Sequence, residues 1–448
     1  MIRDFIKFRL RRGSLFEKLS REAEKTIRYS EAELQCYRNE KLQQTVQIAF
    51  KSVPFYRKMM LQKKLSDKDI RTSEDLVKLP VIDKKTVRDH YSEFRNKAHQ
   101  GLAIKANTCG TTGMPGVFLR DLYSINYEQA VIWRYYRQIG KPFNSGRVIL
   151  RGDLIFPVTK NSPPFWKYDS FTNELFMSSY HLSNKNMGHY VREIRRFKPW
   201  DLQAYPSTAY FLAHYCRRMN LKLSFSAVFT SSETLLDFQK EEIETVFGCK
   251  VYDWYGNGER VAAIGQCEHS SYHEVADANV IEYLPSGKGR EELVGTTLHN
   301  FVMPLIRYRT GDIVERGEKI RACQCGILFP QVKRIYGRES GFLWTPCRGK
   351  IPAGALGRIL WGVENLLELQ FVQKKLDEIE VLIVVTPAFS AKNLNFLEKR
   401  LASHISDEVR FIITKVPYIR RSLQNKFQWI IQELGSQDPG FELKFTKK

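Results

Sequence analysis

Between residues 202 and 256 short apolar runs alternate with amphipathic segments, and this alternation restricts the fold more than any other feature of the chain. Leu202-Gln203-Ala204 leads into a strand-to-helix turn at Tyr205-Pro206-Ser207, and a helical period follows to about Met219. Ser226-Ala227-Val228-Phe229-Thr230 reads as a buried strand, Phe238–Phe247 as a helix and Lys250–Gly256 as a second strand. Strands joined by crossover helices pair in parallel, which predicts an α/β core. Ligands of such sheets collect beyond the carboxyl ends of the strands. Ser231-Ser232-Glu233-Thr234 and Tyr255–Glu259 both fall there.

The flanking chain reads differently. Residues 1–60 are helical in pattern and strongly basic, with a break at Ser52-Val53-Pro54. Ile2, Phe5, Ile6, Phe8, Leu10 and Phe16 give the first helix an apolar side between Arg and Lys residues. Residues 1–16 can therefore lie on an anionic membrane face, the alternative being a helix packed on its own domain. A short helix is expected near Ser73–Lys78, with Asp83 as the cap of the next one. Further on, a helix is expected from about Ile125 to Gly140, a strand at Val148–Leu150, an irregular stretch over 157–180 and a helix over 185–197. From Asn279 the period shortens. Val280–Tyr283, Glu292–Thr296 and Leu305–Tyr308 read as antiparallel strands. After Gly337 a β-β-α-β unit is expected, from strands at 369–373, 379–384 and 410–413 and a helix at 391–403. The expected fold is α/β: a large multi-sheet N-terminal domain, 1–337, which includes the basic helical segment 1–60, and a small α+β C-terminal domain, 338–448.

Length and charge bound the partners. A chain of 448 residues has room for two or three compact units. A formal charge of +21 favours anionic partners. The chain has no RNA-recognition signature, finger spacing or basic-zipper heptad, so no nucleic acid is expected. Charges interrupt the first twelve residues, which argues against a signal peptide and for a cytoplasmic protein. Eight cysteines in a chain of this length do not suggest a disulfide scaffold.

Five stretches carry candidate chemistry. Asn107-Thr108-Cys109-Gly110-Thr111-Thr112-Gly113-Met114-Pro115 combines hydroxyls with glycines that let the backbone approach a phosphate. It lacks the Gly-Lys-Ser/Thr ending of a Walker A loop. Tyr255-Gly256-Asn257-Gly258-Glu259 offers an aromatic face for a purine and a carboxylate for magnesium. In Arg307-Tyr308-Arg309-Thr310-Gly311-Asp312 the carboxylate, just past a strand, can accept from ribose hydroxyls. Gly337-Arg338 opens the small unit, and Lys426 lies in a polar turn within 420–427. Each stretch alone is more often structural; their order along one chain is what carries weight. Cys267, His273, Cys323 and Cys325 form a separate set of three sulfurs and one imidazole, which suits tetrahedral zinc. His269 is an alternative nitrogen ligand, and buried reduced cysteines are the alternative to any metal. Ser207 lacks a Gly-x-Ser-x-Gly elbow and reads as pocket lining. No His-Glu-x-x-His helix or Ser-His-Asp set is present.

This order of motifs resembles the adenylate-forming superfamily, most of all its phenylacetate–CoA ligase branch and the ligase-like proteins of capsular polysaccharide biosynthesis. The resemblance covers nearly the whole chain, most strongly from Thr108 to Lys426. It implies a large domain and a small mobile one, and an enzyme that joins a carboxylic acid to AMP from ATP, then passes the acyl group to a thiol (CoA or a carrier) or an amine. Thr108, Gly110, Thr111, Thr112 and Gly113 match the phosphate loop, with Thr111 among the catalytic residues. Ser232 and Glu233 match the adenine-pocket wall, Tyr255 the adenine-stacking aromatic, and Asp253 and Gly256 its neighbours in the cofactor-binding set. Glu259 matches the magnesium-linked carboxylate, Asp312 the ribose-binding aspartate, Arg338 the boundary arginine and Lys426 the catalytic lysine. The implied cofactors are ATP and Mg2+, with CoA as one acceptor. Some relatives on this branch pair a Cys/His segment after the Tyr-Gly turn with a Cys-x-Cys after the aspartate, which supports a structural Zn2+. Met114, Gly258 and Ser340 depart from the usual Lys, Thr and Asp, so a weak or inactive nucleotide-binding homologue is the rival reading.

Overall fold

The structure, a computed structural model, describes residues 13–108, 116–287, 289–317, 323–338, 341–346, 349–360, 362–422 and 425–434. The chain divides into two compact units: Met1–Leu235 with Glu242–Gly337, and Leu236–Glu241 with Arg338–Lys448. Each is described by itself.

The larger unit opens on three helices, α1 (Ser14–Thr26), α2 (Glu31–Ser52) and α3 (Pro54–Gln62). A Ser30–Glu33 capping box starts α2, extended Val53 ends it, and Pro54 opens α3 at the position where a missing N–H costs least. Residues 1–12 lie outside the described part. Leu15 and Phe16 pack on the core formed by Leu19, Ala23, Tyr127 and Val131. Asp83 accepts from the Thr86 N–H at 2.7 Å and caps α4 (Lys84–Asp89), as its place in the sequence predicts.

A hairpin of β1 (Ala103–Thr108) and β2 (Gly116–Asp121) follows, with Thr108 opposite Gly116. It is continued by α5 (Leu122–Gln138), which Asp121 caps through Ser124 N–H. The next elements are β3 (Arg147–Leu150), β4 (Trp166–Asp169), β5 (Glu174–Met177), α6 (Met187–Phe197), β6 (Asp201–Ala204) and α7 (Pro206–Arg218). After these come β7 (Ala227–Ser231), α8 (Asp237–Phe247), β8 (Lys250–Gly256), β9 (Ala263–Gln266), β10 (Tyr272–Glu274), β11 (Asn279–Pro285), β12 (Glu291–Thr297), β13 (Tyr308–Arg316) and β14 (Gln331–Arg338).

Strands β3 to β14 form one twelve-stranded sheet in the order β11-β12-β13-β14-β10-β9-β8-β7-β6-β3-β5-β4. The predicted parallel core is the run β5-β3-β6-β7-β8. It turns antiparallel at the β8–β9 pair, where Tyr255 faces Ile264. The stretch 157–180 is not irregular: β4 and β5 pair antiparallel within it, Trp166 opposite Met177. Four-residue strands beside prolines are too short to show a period. Leu305–Arg307 is not strand either. Tyr308 begins β13, after Arg307 at φ 56°.

Strands β8 to β14 share an apolar core that includes Ala262, Ile264, Ile281, Leu293, Val314 and Val332, with Tyr255 packed against it. Four strand steps separate β8 from β13, about 19 Å on a flat sheet at about 4.8 Å per step. Tyr255 nevertheless touches Asp312 of β13, so the antiparallel half curls round this core.

The smaller unit holds the hairpin β15 (Phe342–Thr345) and β16 (Gly349–Pro352), α9 (Ala353–Leu360), β17 (Leu366–Gln373), β18 (Glu378–Val385), α10 (Ala391–His404), β19 (Arg410–Lys415) and β20 (Ile430–Gln432). Its sheet runs β19-β18-β17-β20 around Leu369, Phe371, Ile379, Val381, Ile383, Leu397 and Leu401. The β-β-α-β unit of the sequence is its centre. The β15–β16 hairpin, α9 and β20 are additions the pattern does not show.

A buried ion pair ties α1 and α5 to the loop before β11. Arg134 donates to both Asp277 oxygens at 2.6 and 3.0 Å, and Thr26 also donates to this carboxylate. The Asp277 side chain is 0% exposed and that of Arg134 5%. Burial alone would raise the Asp277 pKa, yet Arg134 and Thr26 bring it below the ordinary value. Asp277→Ala leaves a buried guanidinium uncompensated and is expected to cost about 3–5 kcal/mol in urea unfolding. Asp89→Ala, which removes an exposed partner of Lys85, is expected to cost less than about 1 kcal/mol.

Candidate functional site

Three carboxyl-terminal strand ends and one bulge bring the candidate residues together. At the end of β6, Ser207 donates its N–H and its hydroxyl to Glu233, both at 3.0 Å. This contact joins the β6–α7 turn to the segment after β7. Ser232, beside Glu233, is at φ 72°.

At the end of β8 the side chains alternate. Asp253 is buried and accepts from Thr230 at 2.7 Å and Tyr272 at 3.0 Å, so both of its oxygens serve the sheet. Tyr255 donates to Asp312 Oδ2 at 2.8 Å. Burial first, then the Asp312 charge, pushes the Tyr255 phenol well above its ordinary pKa, so it stays a donor. Asp312 is not past a strand. It sits inside β13 on a bulge, where the register with β12 jumps between Glu292 and Val294 and Gly311 is at φ 75°. Thr310, Gly311 and Asp312 stand opposite Leu293 alone, and extra residues in a bulge re-aim the side chains around them, here Asp312.

Gly256 to Arg260 form the turn beyond β8. Asn257 accepts the Val261 N–H at 3.0 Å, Arg120 donates to the Gly258 carbonyl, and Arg260 donates to Ser124 at 3.0 Å and to Glu128. The turn is thus clamped from β2 and α5. Glu259 is 8% exposed, and Tyr308 donates to its Oε1 at 3.1 Å. Its other oxygen has no partner among the described residues. Tyr308 is a residue the sequence reading missed. It stands in the quoted Arg307–Asp312 stretch, but nothing in the spacing tells that its hydroxyl reaches Glu259.

Some of the other candidates lie outside the described residues, and others belong to the smaller unit. Gly110, Thr111, Thr112, Gly113 and Met114 lie outside the described residues, as does Ser340, and of Thr108 only the backbone position at the end of β1 is described. Gly337 is at φ 73°, and a Cβ there would sit 2.4 Å from the Thr234 hydroxyl, so the position admits only glycine. Arg338, which follows it, is half-buried. In the smaller unit Lys426 stands on a tight turn: its N–H donates to Ser422 Oγ at 3.1 Å, its carbonyl accepts from Ser422 N–H at 3.0 Å, and Asn425 is at φ 56°.

Cys267, His273, Cys323 and Cys325 do converge. One ligand atom from each lies within 4.8 Å of all the others. Cys267 closes the β9–β10 hairpin, His273 is on β10, and the two further thiols sit on the turn before β14, which pairs with β10. The two contacts that define the set are Sγ–Sγ of Cys267 and Cys323 at 3.7 Å and Cys325 Sγ to His273 Nε2 at 3.4 Å. A tetrahedral zinc requires edges of about 3.8 Å between sulfurs and about 3.5 Å between sulfur and nitrogen. A disulfide would need about 2.05 Å. His273 Nδ1 lies 3.2 Å from the Phe329 carbonyl, which leaves Nε2 as the ligand atom. His269 is exposed beside Glu268 and outside the cluster. The donor set fits zinc, with no fourth position open for water.

The comparisons with known proteins concern the sequence and the fold. A profile described as the CapK C-terminal domain matches residues 343–433. Protein CapK of Staphylococcus aureus is 29% identical over 361 residues, 80% of this chain and 79% of that protein. Phenylacetate-coenzyme A ligase of Thermus thermophilus is 25% identical over 420 residues, 84% of this chain and 90% of that one. Among solved structures, 2-hydroxyisobutyryl-CoA ligase in the postadenylation state, in complex with 2-HIB-AMP, matches at a TM-score of 0.68 over 91% of each chain, with 18% identity. At that identity the likeness concerns the fold.

Metal analysis of the purified chain is expected to return about one zinc per chain. Cys323→Ser is expected to lower both the zinc content and the melting temperature. Metal-free protein of undiminished stability would contradict the assignment.

Proposed function

We propose a division of labour among the residues of this chain, which belongs to the adenylate-forming superfamily, on its phenylacetate–CoA ligase branch, and is an acyl-adenylate-forming ligase. The observation that carries it is the Tyr255–Asp312 hydrogen bond, which puts an aromatic face and a carboxylate on one spot beside the turn that holds Glu259. Adenine stacks on Tyr255, and Asp312 accepts from the ribose hydroxyls. Ser232 and Glu233 line the same side, Glu233 steadied by Ser207. Thr108 to Gly113 are assigned to the phosphates on the resemblance of their sequence.

In the first step a carboxylate oxygen of the acid attacks the α-phosphorus. The bond to the bridging oxygen breaks and pyrophosphate leaves with the electron pair. Two anions must approach, so the step needs fixed positive charge. Lys426 is the candidate for it. Glu259 is the residue that would hold Mg2+, which supplies further charge neutralisation when bound, and Tyr308 fixes the carboxylate's orientation. In the second step a thiol sulfur or an amine nitrogen attacks the acyl carbon and AMP leaves. CoA, a carrier thiol and an amine on an envelope sugar are the acceptors considered. A role in cell-envelope polysaccharide biosynthesis rests on the resemblance of the sequence to ligase-like proteins of capsular polysaccharide biosynthesis. The zinc site is assigned to stability. It would hold the β9–β10 hairpin against the turn before β14.

The test is ATP–pyrophosphate exchange over a library of carboxylic acids. Exchange with at least one acid is expected, and ADP formation in its place would overturn the reading. Asp312→Ala is expected to weaken ATP binding by about 1–3 kcal/mol in calorimetry. Lys426→Ala is expected to depress adenylate formation while sparing transfer from a supplied acyl-adenylate. ATP binding without exchange for any acid would favour the rival, an inactive nucleotide-binding homologue, for which Gly258 is the departure within the described turn.

A further inference from the structure

Strand β4 is the outermost strand at one end of the twelve-stranded sheet, and among the described residues no strand pairs with its outer side. Ser178 N–H donates to the Phe165 carbonyl at 2.9 Å, so the backbone groups of Phe165 point toward β5. Successive residues of an antiparallel strand turn their N–H and C=O to opposite sides. The backbone groups of Lys167 and Asp169 therefore point inward, to Phe176 and Glu174, while those of Trp166 and Tyr168 point to the edge. None of these outward groups has a partner among the described residues. An unpaired edge is a template for another strand.

The charges along this edge are unbalanced. Asp169 stands opposite Glu174 of β5, and Glu174 stands beside Arg147 of β3. Like charges directly across a ladder destabilise it. Arg147 offsets Glu174 from the inner side, but it already donates to Asp201 at 2.6 Å. The row Asp201–Arg147–Glu174–Asp169 thus reaches the edge with two adjacent carboxylates, and a cation on the outer side of Asp169 would balance them. Asp169 Oδ1 accepts the Phe171 N–H at 2.9 Å, which leaves Oδ2 for that cation.

A second copy of the chain supplies it. When two identical strands pair antiparallel about a two-fold axis, one residue faces its own copy, so β4 offers four registers, one centred on each residue. Centring on Lys167 sets lysine against lysine, and centring on Asp169 sets carboxylate against carboxylate. Centring on Trp166 sets Tyr168 against Pro164, which has no N–H to donate. Centring on Tyr168 sets Lys167 of each copy directly opposite Asp169 of the other. These are non-hydrogen-bonded positions, where Cα atoms lie about 4.5 Å apart and side chains approach closest.

We propose that the chain forms a two-fold symmetric dimer through β4, with Tyr168 on the axis. Tyr168 N–H and C=O are exchanged between the copies, and two Lys167–Asp169 ion pairs flank them. Exposed apolar side chains extend what a four-residue strand offers. Tyr168 is 50% exposed and Phe143 is 72% exposed. Phe143 stands at the same corner of the sheet: the Asn144 carbonyl accepts from Asn173 at 2.8 Å, and Asn173 Oδ1 accepts from the Tyr168 hydroxyl at 3.0 Å.

The test is sedimentation velocity of the full chain at micromolar concentration, with charge-swapped variants. The unsubstituted chain is expected to sediment as a dimer. Lys167→Asp and Asp169→Lys each set like charges across the axis and are expected to raise the dimer dissociation constant about tenfold or more. The double variant Lys167→Asp/Asp169→Lys restores opposite charges and is expected to recover the dimer. A residue that faces its own copy in a hydrogen-bonded pair lies about 5.5 Å from it, within disulfide reach. Tyr168→Cys is therefore expected to give a covalent dimer under mild oxidation, beyond that of the unsubstituted chain, and Ser170→Cys is not. A monomeric chain overturns the proposal. So does a dimer that survives Lys167→Asp, or a double variant no better than the single ones. Stronger association of Lys167→Asp also overturns it, since that is the behaviour of a lysine that guards the edge against pairing.

Discussion

Everything proposed for the larger unit depends on the curl of its sheet. A parallel run ends at β8 with Tyr255 at its tip, and a flat continuation would leave β13 about 19 Å away. The antiparallel strands instead wrap round the apolar core of Ile264, Ile281, Leu293, Val314 and Val332, and burying these side chains drives the closure. The Asp312 bulge then meets Tyr255, and Tyr308 meets Glu259, from strands that are not neighbours. One hydrophobic closure thus sets two polar contacts at once.

Buried polar contacts fix what burial alone leaves loose. The Arg134–Asp277 pair locks α5 to the loop ahead of β11, while Arg260–Glu128 and Arg120–Gly258 clamp the Glu259 turn from α5 and β2. The cysteines and histidine gather where β9, β10 and β14 pair, on the far side of those strands from the turn. A metal there would stiffen the part of the curl held by the shortest strands, which have the fewest ladder bonds of their own.

Much of this was legible in the sequence, for a physical reason. The strands β6, β7 and β8 are short apolar runs separated by clear helical periods, and both signals survive without knowledge of their partners. Asp83 announces a helix start through local hydrogen bonding, and Pro54 marks a break through its backbone geometry. What could not be read depends on distant partners. β4, β5, β9 and β10 are three or four residues long and exist because a neighbouring strand receives them. The bulge at Gly311 is a matter of register with β12, so Asp312 looked like a residue past a strand. Cys267 and Cys323 are 56 positions apart. Sequence could list the set, but only the pairing of β10 with β14 places His273 among the thiols and leaves His269 outside.

The central claim, that this site joins a carboxylate oxygen to the α-phosphorus of ATP, has a direct isotopic test. Turnover of an acid labelled with 18O in its carboxylate, followed by mass spectrometry of the nucleotide product, reads where that oxygen ends. Attack by the carboxylate followed by attack of the acceptor at the acyl carbon predicts AMP carrying one 18O. Unlabelled AMP, or ADP with labelled inorganic phosphate, would contradict the account.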